Sequence, residues 1–198
     1  MTAGRTVNSQ SVHWCTPQKY VDAVKRVFGG SIALDPCSNE HSVVGAETAY
    51  ALPKKDGLKE TWSFPTIYVN PPYGADRESG TTIKNWLYKC ALAHTESQAE
   101  VVALVPVAAN TNHWKKYVWG VATGVCFLYD TRLRFLVEGK NEGKGAPMAC
   151  AMIYWGRQYD IFYRVFIEFG AVVDLRPLRG EIIGHRIKSR QHQLFRDF

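Results

Sequence analysis

An α/β fold is predicted, a mostly parallel sheet flanked by helices and carrying an antiparallel hairpin. Short apolar runs stop abruptly at polar residues or proline, at Asp35-Pro36, Asn70-Pro71 and Val105-Pro106. Buried parallel strands read this way when their carboxyl ends open into a crevice. Between the runs, apolar residues recur at the i, i+3, i+4, i+7 spacing of one helix face. A chain of 198 residues suits one domain, which at this size buries roughly 70% of its unfolded surface. With 46% hydrophobic and 21% charged residues, it is neither disordered, collagen-like nor a coiled coil.

Thr16-Pro17 reads as an N-cap with proline at the first helical position. Tyr20, Val24, Val27 and Phe28 then form a helix face that Gly29-Gly30 ends. Ser31 to Asp35 is the first buried strand. Residues 41–65 are polar and turn-rich and predict no long element. Thr66 to Val69 is a second strand, stopped by two prolines that cannot continue a central ladder. Ile83, Trp86, Leu87, Cys90 and Ala91 give the next helix, and Val101 to Val105 the third strand. Strand, helix, strand implies a right-handed crossover. Gly124 to Tyr129 and Met148 to Trp155 are read as an antiparallel hairpin appended to the sheet. Ile161, Phe162, Val165, Phe166 and Phe169 form a last helical face before a strand from Ala171 to Leu175.

The five cysteines contain no CxxC pair and the six histidines are scattered, so neither a disulfide framework nor a metal site is expected. No apolar run approaches the roughly 20 residues that cross a bilayer, and the start MTAGRTVNSQS lacks a signal-peptide core. A soluble, cytoplasmic protein with no membrane partner is expected. The net charge of +6 makes polyanions plausible partners, and residues 176–198 hold six basic residues against two acids. A solvated tail that only aids solubility explains that segment equally well.

The most specific string is Asn70-Pro71-Pro72-Tyr73. An exocyclic amine on a heteroaromatic ring gives its lone pair to the ring and is a poor nucleophile until it is held towards tetrahedral geometry. The Asn70 side-chain carbonyl and the Pro71 backbone carbonyl can accept its two hydrogens, and successive prolines lock the backbone so that both converge. Tyr73 can stack on the base, worth about 1 to 3 kcal/mol, comparable to the cost of flipping it from a duplex. The string matches the (Asp/Asn/Ser)-Pro-Pro-(Tyr/Phe/Trp) signature of methyltransferases acting on such amines. The segment after Asp35 has no GxG, which counts against a dinucleotide-binding dehydrogenase.

Over roughly residues 13–156 the chain resembles the phage-encoded DNA N6-adenine methyltransferase family, a Dam-like group. The likeness rests on the order of Trp14-Cys15-Thr16-Pro17, Asp35-Pro36-Cys37-Ser38, Asp56-Gly57-Leu58 with Trp62, and Asn70 to Gly74. Val105-Pro106 with Trp114, Arg132-Leu133-Arg134-Phe135 and Gly145-Ala146-Pro147 complete it. The resemblance implies a Rossmann-like class I methyltransferase fold over residues 1–175 with a basic tail at 176–198, and S-adenosylmethionine as cofactor. It implies that Trp14, Thr16, Pro17, Asp35, Pro36, Ser38 and Asn70 bind the cofactor, with Asp56 and Leu58 at its adenine. Asn70, Pro71, Pro72 and Tyr73 are the catalytic set. Glu47 is the candidate acid for the ribose. DNA is the expected partner, touched by Arg132, Arg134, Lys140 and Lys144 of the segment around 132–146 and by Arg186, Lys188 and Arg190 of the tail, or read with help from a second subunit in a homodimer. A bacterial host cytoplasm, phage or prophage coding and a role in restriction-modification go with the family. Cytosine N4, RNA adenine and a protein glutamine amide share the four-residue signature, and a catalytically silent DNA-binding protein is the reading from a different class.

Overall fold

The computed structural model describes residues 14–73, 81–130, 133–142 and 148–178. In chain order, β1 (Trp14–Cys15) leads into α1 (Gln18–Val27), followed by β2 (Leu34–Asp35), β3 (Thr48–Ala49) and β4 (Thr66–Val69). Next come α2 (Ile83–Ser97), β5 (Glu100–Pro106), α3 (Asn112–Tyr117) and β6 (Gly124–Leu128). The chain continues through β7 (Leu136–Val137), β8 (Asn141–Glu142), β9 (Cys150–Trp155), α4 (Tyr159–Phe166) and β10 (Gly170–Asp174), ending in a 3-10 turn at Arg176–Leu178.

Seven strands form the main sheet in the order β3-β2-β4-β5-β9-β6-β10. The first four are mutually parallel, whereas β9 runs antiparallel to both β5 and β6, and β10 antiparallel to β6. Side chains alternate between the two faces. Ile67, Val69, Val101, Ala103 and Val105 join α2 and α3 in one core, while Tyr68, Val102 and Leu104 join α1 and α4 in the other. A ten-residue helix such as α1 is marginal in water by itself. Burial of Tyr20, Val21, Ala23, Val24 and Val27 holds it, at about 1.5 to 3 kcal/mol for each large apolar side chain. Thr82 and Asn85 close a capping box at the start of α2.

Three expectations are corrected. The strand expected at Ser31 to Asp35 is regular only at Leu34–Asp35, although Ile32 and Ala33 already exchange backbone hydrogen bonds with Glu47, Thr48 and Thr66. The 41–65 stretch holds no long element, as read, and its strand β3 has two residues, too few to show a period. The helix begins one residue later than the N-cap pattern predicts. Pro17 is its cap, because the Thr16 hydroxyl is bonded to Tyr68 Oη at 2.7 Å instead. Finally, β9 is no appendage, since it lies inside the sheet between β5 and β6. The connecting segment turns away to form β7 and β8, which build a separate small sheet with β1.

Candidate active site

Because β2 and β4 are parallel neighbours, with Leu34 opposite Ile67, their carboxyl ends deliver Asp35 and Asn70 to one rim of the sheet. Open α/β sheets bind ligands along such a rim. There a cleft is lined by Asn70, Pro71, Pro72 and Tyr73 together with Trp14, Cys37, Asn39 and Phe135.

The Asn70 carboxamide donates through Nδ2 to the Trp14 carbonyl at 3.3 Å. Only the NH2 end can donate to a carbonyl, so Oδ1 is assigned as the acceptor end. The backbone N–H of Asn70 meets the Cys37 sulfur. Burial pushes the Cys37 thiol well above its ordinary value, which removes it as a thiolate nucleophile although it lines the cleft.

Tyr73 donates its hydroxyl to the Leu104 carbonyl at 3.2 Å. Its ring meets Trp14 and Phe135 edge-on, at interplanar angles of 86° and 79°. Trp14 in turn lies flat on Phe135 with centroids 5.1 Å apart. The small β1-β7-β8 sheet fixes this aromatic cluster, since Cys15 pairs with Leu136 directly beside the two rings.

Asp35 is 3% exposed. Burial raises its pKa to about 6, against hydrogen bonds from Ser38, the Cys37 N–H and Ser42 that favour the carboxylate. The Asp56-Gly57-Leu58 loop lies against the Asp35-Pro36 segment. A Cβ on Gly57 would come within 1.7 Å of the Pro36 carbonyl oxygen, so only glycine permits the approach. Asp56 Oδ1 accepts from the Leu58 N–H at 3.0 Å, and Trp62 Nε1 donates to the Gly57 carbonyl at 2.8 Å.

Trp14, Asn70, Pro71, Pro72 and Tyr73 are thus brought together at the cleft. Thr16, Pro17, Asp35 and Pro36 are buried. Ser38 is bonded to Asp35, and Gly57 seats the Asp56–Leu58 turn on Pro36, but Asp35, Pro36, Ser38, Asp56 and Leu58 are not among the residues that line the cleft. Glu47 is exposed and precedes β3, which puts it at the amino end of a strand parallel to β2 and away from the Asp35 rim. Of the DNA-contact candidates, Arg134 and Lys140 are exposed, the latter in the turn between β7 and β8. Arg132, Lys144, Arg186, Lys188 and Arg190 lie outside the described residues. Sequence reasoning missed Cys37, Asn39 and Phe135 as lining residues, although Cys37 and Phe135 stand inside motifs that carry the family resemblance. Among the described residues no cluster of metal-ligating side chains occurs, and no helix is long and apolar enough to cross a membrane.

Residues 3–178 match the family model described as DNA N-6-adenine-methyltransferase (Dam). The chain belongs to the Dam family. Its function in general is therefore that of a DNA adenine-N6 methyltransferase, and the Dam match spans every element from β1 to the 3-10 turn. No curated protein matches the chain.

Proposed function

We propose that the protein is a site-specific methyltransferase that transfers a methyl group from S-adenosylmethionine to N6 of a flipped-out adenine in DNA by direct attack. The observation that carries this reading is the Asn70 carboxamide, oriented by the Trp14 carbonyl beside a buried Pro71 in a cleft lined by aromatic rings. Oδ1 of Asn70 and the carbonyl oxygen of Pro71 accept the two amino hydrogens and draw the nitrogen lone pair out of conjugation with the ring. Tyr73, tethered by its hydroxyl, presents an aromatic surface to the base. Preorganised acceptors of this kind are catalytic through positioning and electrostatics, without a covalent enzyme intermediate.

A Rossmann-like class I fold is the architecture this reading takes. The parallel set β3-β2-β4-β5 and the antiparallel β9 inserted before β6 support it. The residues present fit S-adenosylmethionine. Asp35, a buried acid at the rim, is suited to a cationic ligand, and Asp56 and Leu58, on the turn that Gly57 seats against Pro36, would hold its adenine. When bound, that cofactor would supply an electrophilic methyl group on a sulfonium: the S–CH3 bond would break as the N6–CH3 bond forms, S-adenosylhomocysteine would leave as a neutral thioether, and the methylated amine would give its extra proton to solvent. Residues 1–175 form the catalytic domain on this reading, the Arg176–Leu178 turn packs on it, and the basic residues beyond Leu178 add contacts to the DNA backbone.

The test is an Asn70→Ala protein. It should retain its fold and still bind S-adenosylmethionine in calorimetry, with affinity lowered by less than about tenfold, while turnover on DNA at saturating cofactor falls about 100-fold or more. In parallel, 2-aminopurine at the target position should brighten on binding, as an unstacked base does. Near-normal turnover of the variant would remove Asn70 from the catalytic role.

A further inference from the structure

Lys89 has no part in the transfer chemistry, yet its environment is unusual for a lysine on an amphipathic helix. Such a side chain ordinarily extends its ammonium into water. Here, from α2, Nζ turns inward and donates to three backbone carbonyls of one loop: Gly57 at 3.3 Å, Leu58 at 3.1 Å, and Glu60. An ammonium has three protons, and one short stretch of chain receives all of them. The same nitrogen stands 5.1 Å from the centre of the Trp62 ring, and the Trp62 indole donates to the Gly57 carbonyl from a second direction. Two side chains thus converge on the loop that Gly57 seats against Pro36.

We infer that Lys89 is a positioning residue for the cofactor site: by gathering the Gly57, Leu58 and Glu60 carbonyls it holds the 56–60 turn in the conformation that presents Asp56 and Leu58 to the adenosine part of S-adenosylmethionine. The inference rests on the assignment of Asp56 and Leu58 to the cofactor. A loop ordered before binding removes that ordering cost from the binding step. Losing Lys89 should therefore weaken cofactor affinity without altering the chemistry at Asn70. Methionine keeps an unbranched apolar side chain of similar length and loses every donor and the charge over Trp62, whereas arginine keeps both.

The experiment measures S-adenosylhomocysteine binding by calorimetry and steady-state methylation of DNA for the full chain and its Lys89→Met, Lys89→Arg and Asp56→Ala variants. Lys89→Met is expected to raise both the Kd for S-adenosylhomocysteine and the KM for S-adenosylmethionine about tenfold. Its kcat at saturating cofactor and its KM for DNA should stay within about twofold, with most of the affinity recovered in Lys89→Arg. Weakened binding in Asp56→Ala with unchanged binding in Lys89→Met overturns the role of Lys89 alone. Unchanged binding in Asp56→Ala overturns the loop assignment and the inference with it. A fall in kcat with unchanged cofactor KM in Lys89→Met also overturns it. Should Lys89→Met fail to fold, Lys89→Gln, whose shorter amide replaces the ammonium, carries the same comparison with an intermediate Kd expected.

Discussion

Asn70 and Asp35 sit at the ends of adjacent strands, and their surroundings give them different tasks. The carboxamide is partly exposed with its NH2 end occupied, which suits it to receive an amine. The carboxylate is 3% exposed with a pKa raised to about 6, so the folded chain binds its proton more tightly than the unfolded chain does. The stability cost of the Asp35 charge is consequently absent below the ordinary value of 3.8 and complete above about 6, amounting to about 2 to 3 kcal/mol. An Asp35→Asn protein should melt higher than wild type at pH 7.5, with the gain shrinking towards pH 4 in paired thermal scans. Binding of a cationic cofactor runs the other way, since it favours the ionised acid. Affinity for S-adenosylmethionine in wild type should fall as pH drops below about 6, and a Kd constant from pH 7.5 to pH 5 would exclude Asp35 from the cofactor site.

The N-terminal strap, β1 with the turn into α1, is held by a buried pair, Thr16 Oγ1 and Tyr68 Oη. Tyr68→Phe strands the Thr16 hydroxyl and should cost about 1 to 3 kcal/mol, whereas the double variant Thr16→Val with Tyr68→Phe should cost less than the two single changes added together. Urea unfolding of the four proteins measures this directly. Gly57→Ala has no such escape, because backbone, not a flexible side chain, fills the space. It should lose cofactor affinity along with stability. Elements carried by local periodicity were legible in the sequence: Thr66–Val69 appears as read, and Trp86, Leu87, Cys90 and Ala91 are buried along α2. Elements defined by distant partners were not. β3 is too short for a period, β9 finds its place only by pairing with β5 and β6, and Lys89 acquires its acceptors only when the 57–60 loop folds onto it.

For the molecule as a whole, the fold brings Trp14, Asn70 to Tyr73 and Phe135, far apart in the sequence, to one cleft, and the order of the motifs pointed to the family that the match over residues 3–178 shows. What the order could not show was depth: Thr16, Asp35 and Pro36 are buried, and the cleft wall is completed by Phe135 from beside a small second sheet. Arg176 belongs with the folded unit, stacked 4.2 Å over the Tyr159 ring and paired with Asp174. A truncation that tests the basic tail should therefore cut after Leu178. It is expected to weaken DNA binding and to flatten its dependence on salt by about 0.9 in log–log slope for each phosphate that the tail neutralises, read by fluorescence anisotropy at several salt concentrations. The central claim, adenine N6 as the acceptor, is tested most directly by incubating the protein with S-adenosylmethionine and mixed-sequence DNA and RNA, digesting to nucleosides and analysing by mass spectrometry. N6-methyldeoxyadenosine from the DNA is the expected product. N4-methyldeoxycytidine, methylated RNA alone, or no methylated nucleoside from a protein that binds its cofactor would contradict it.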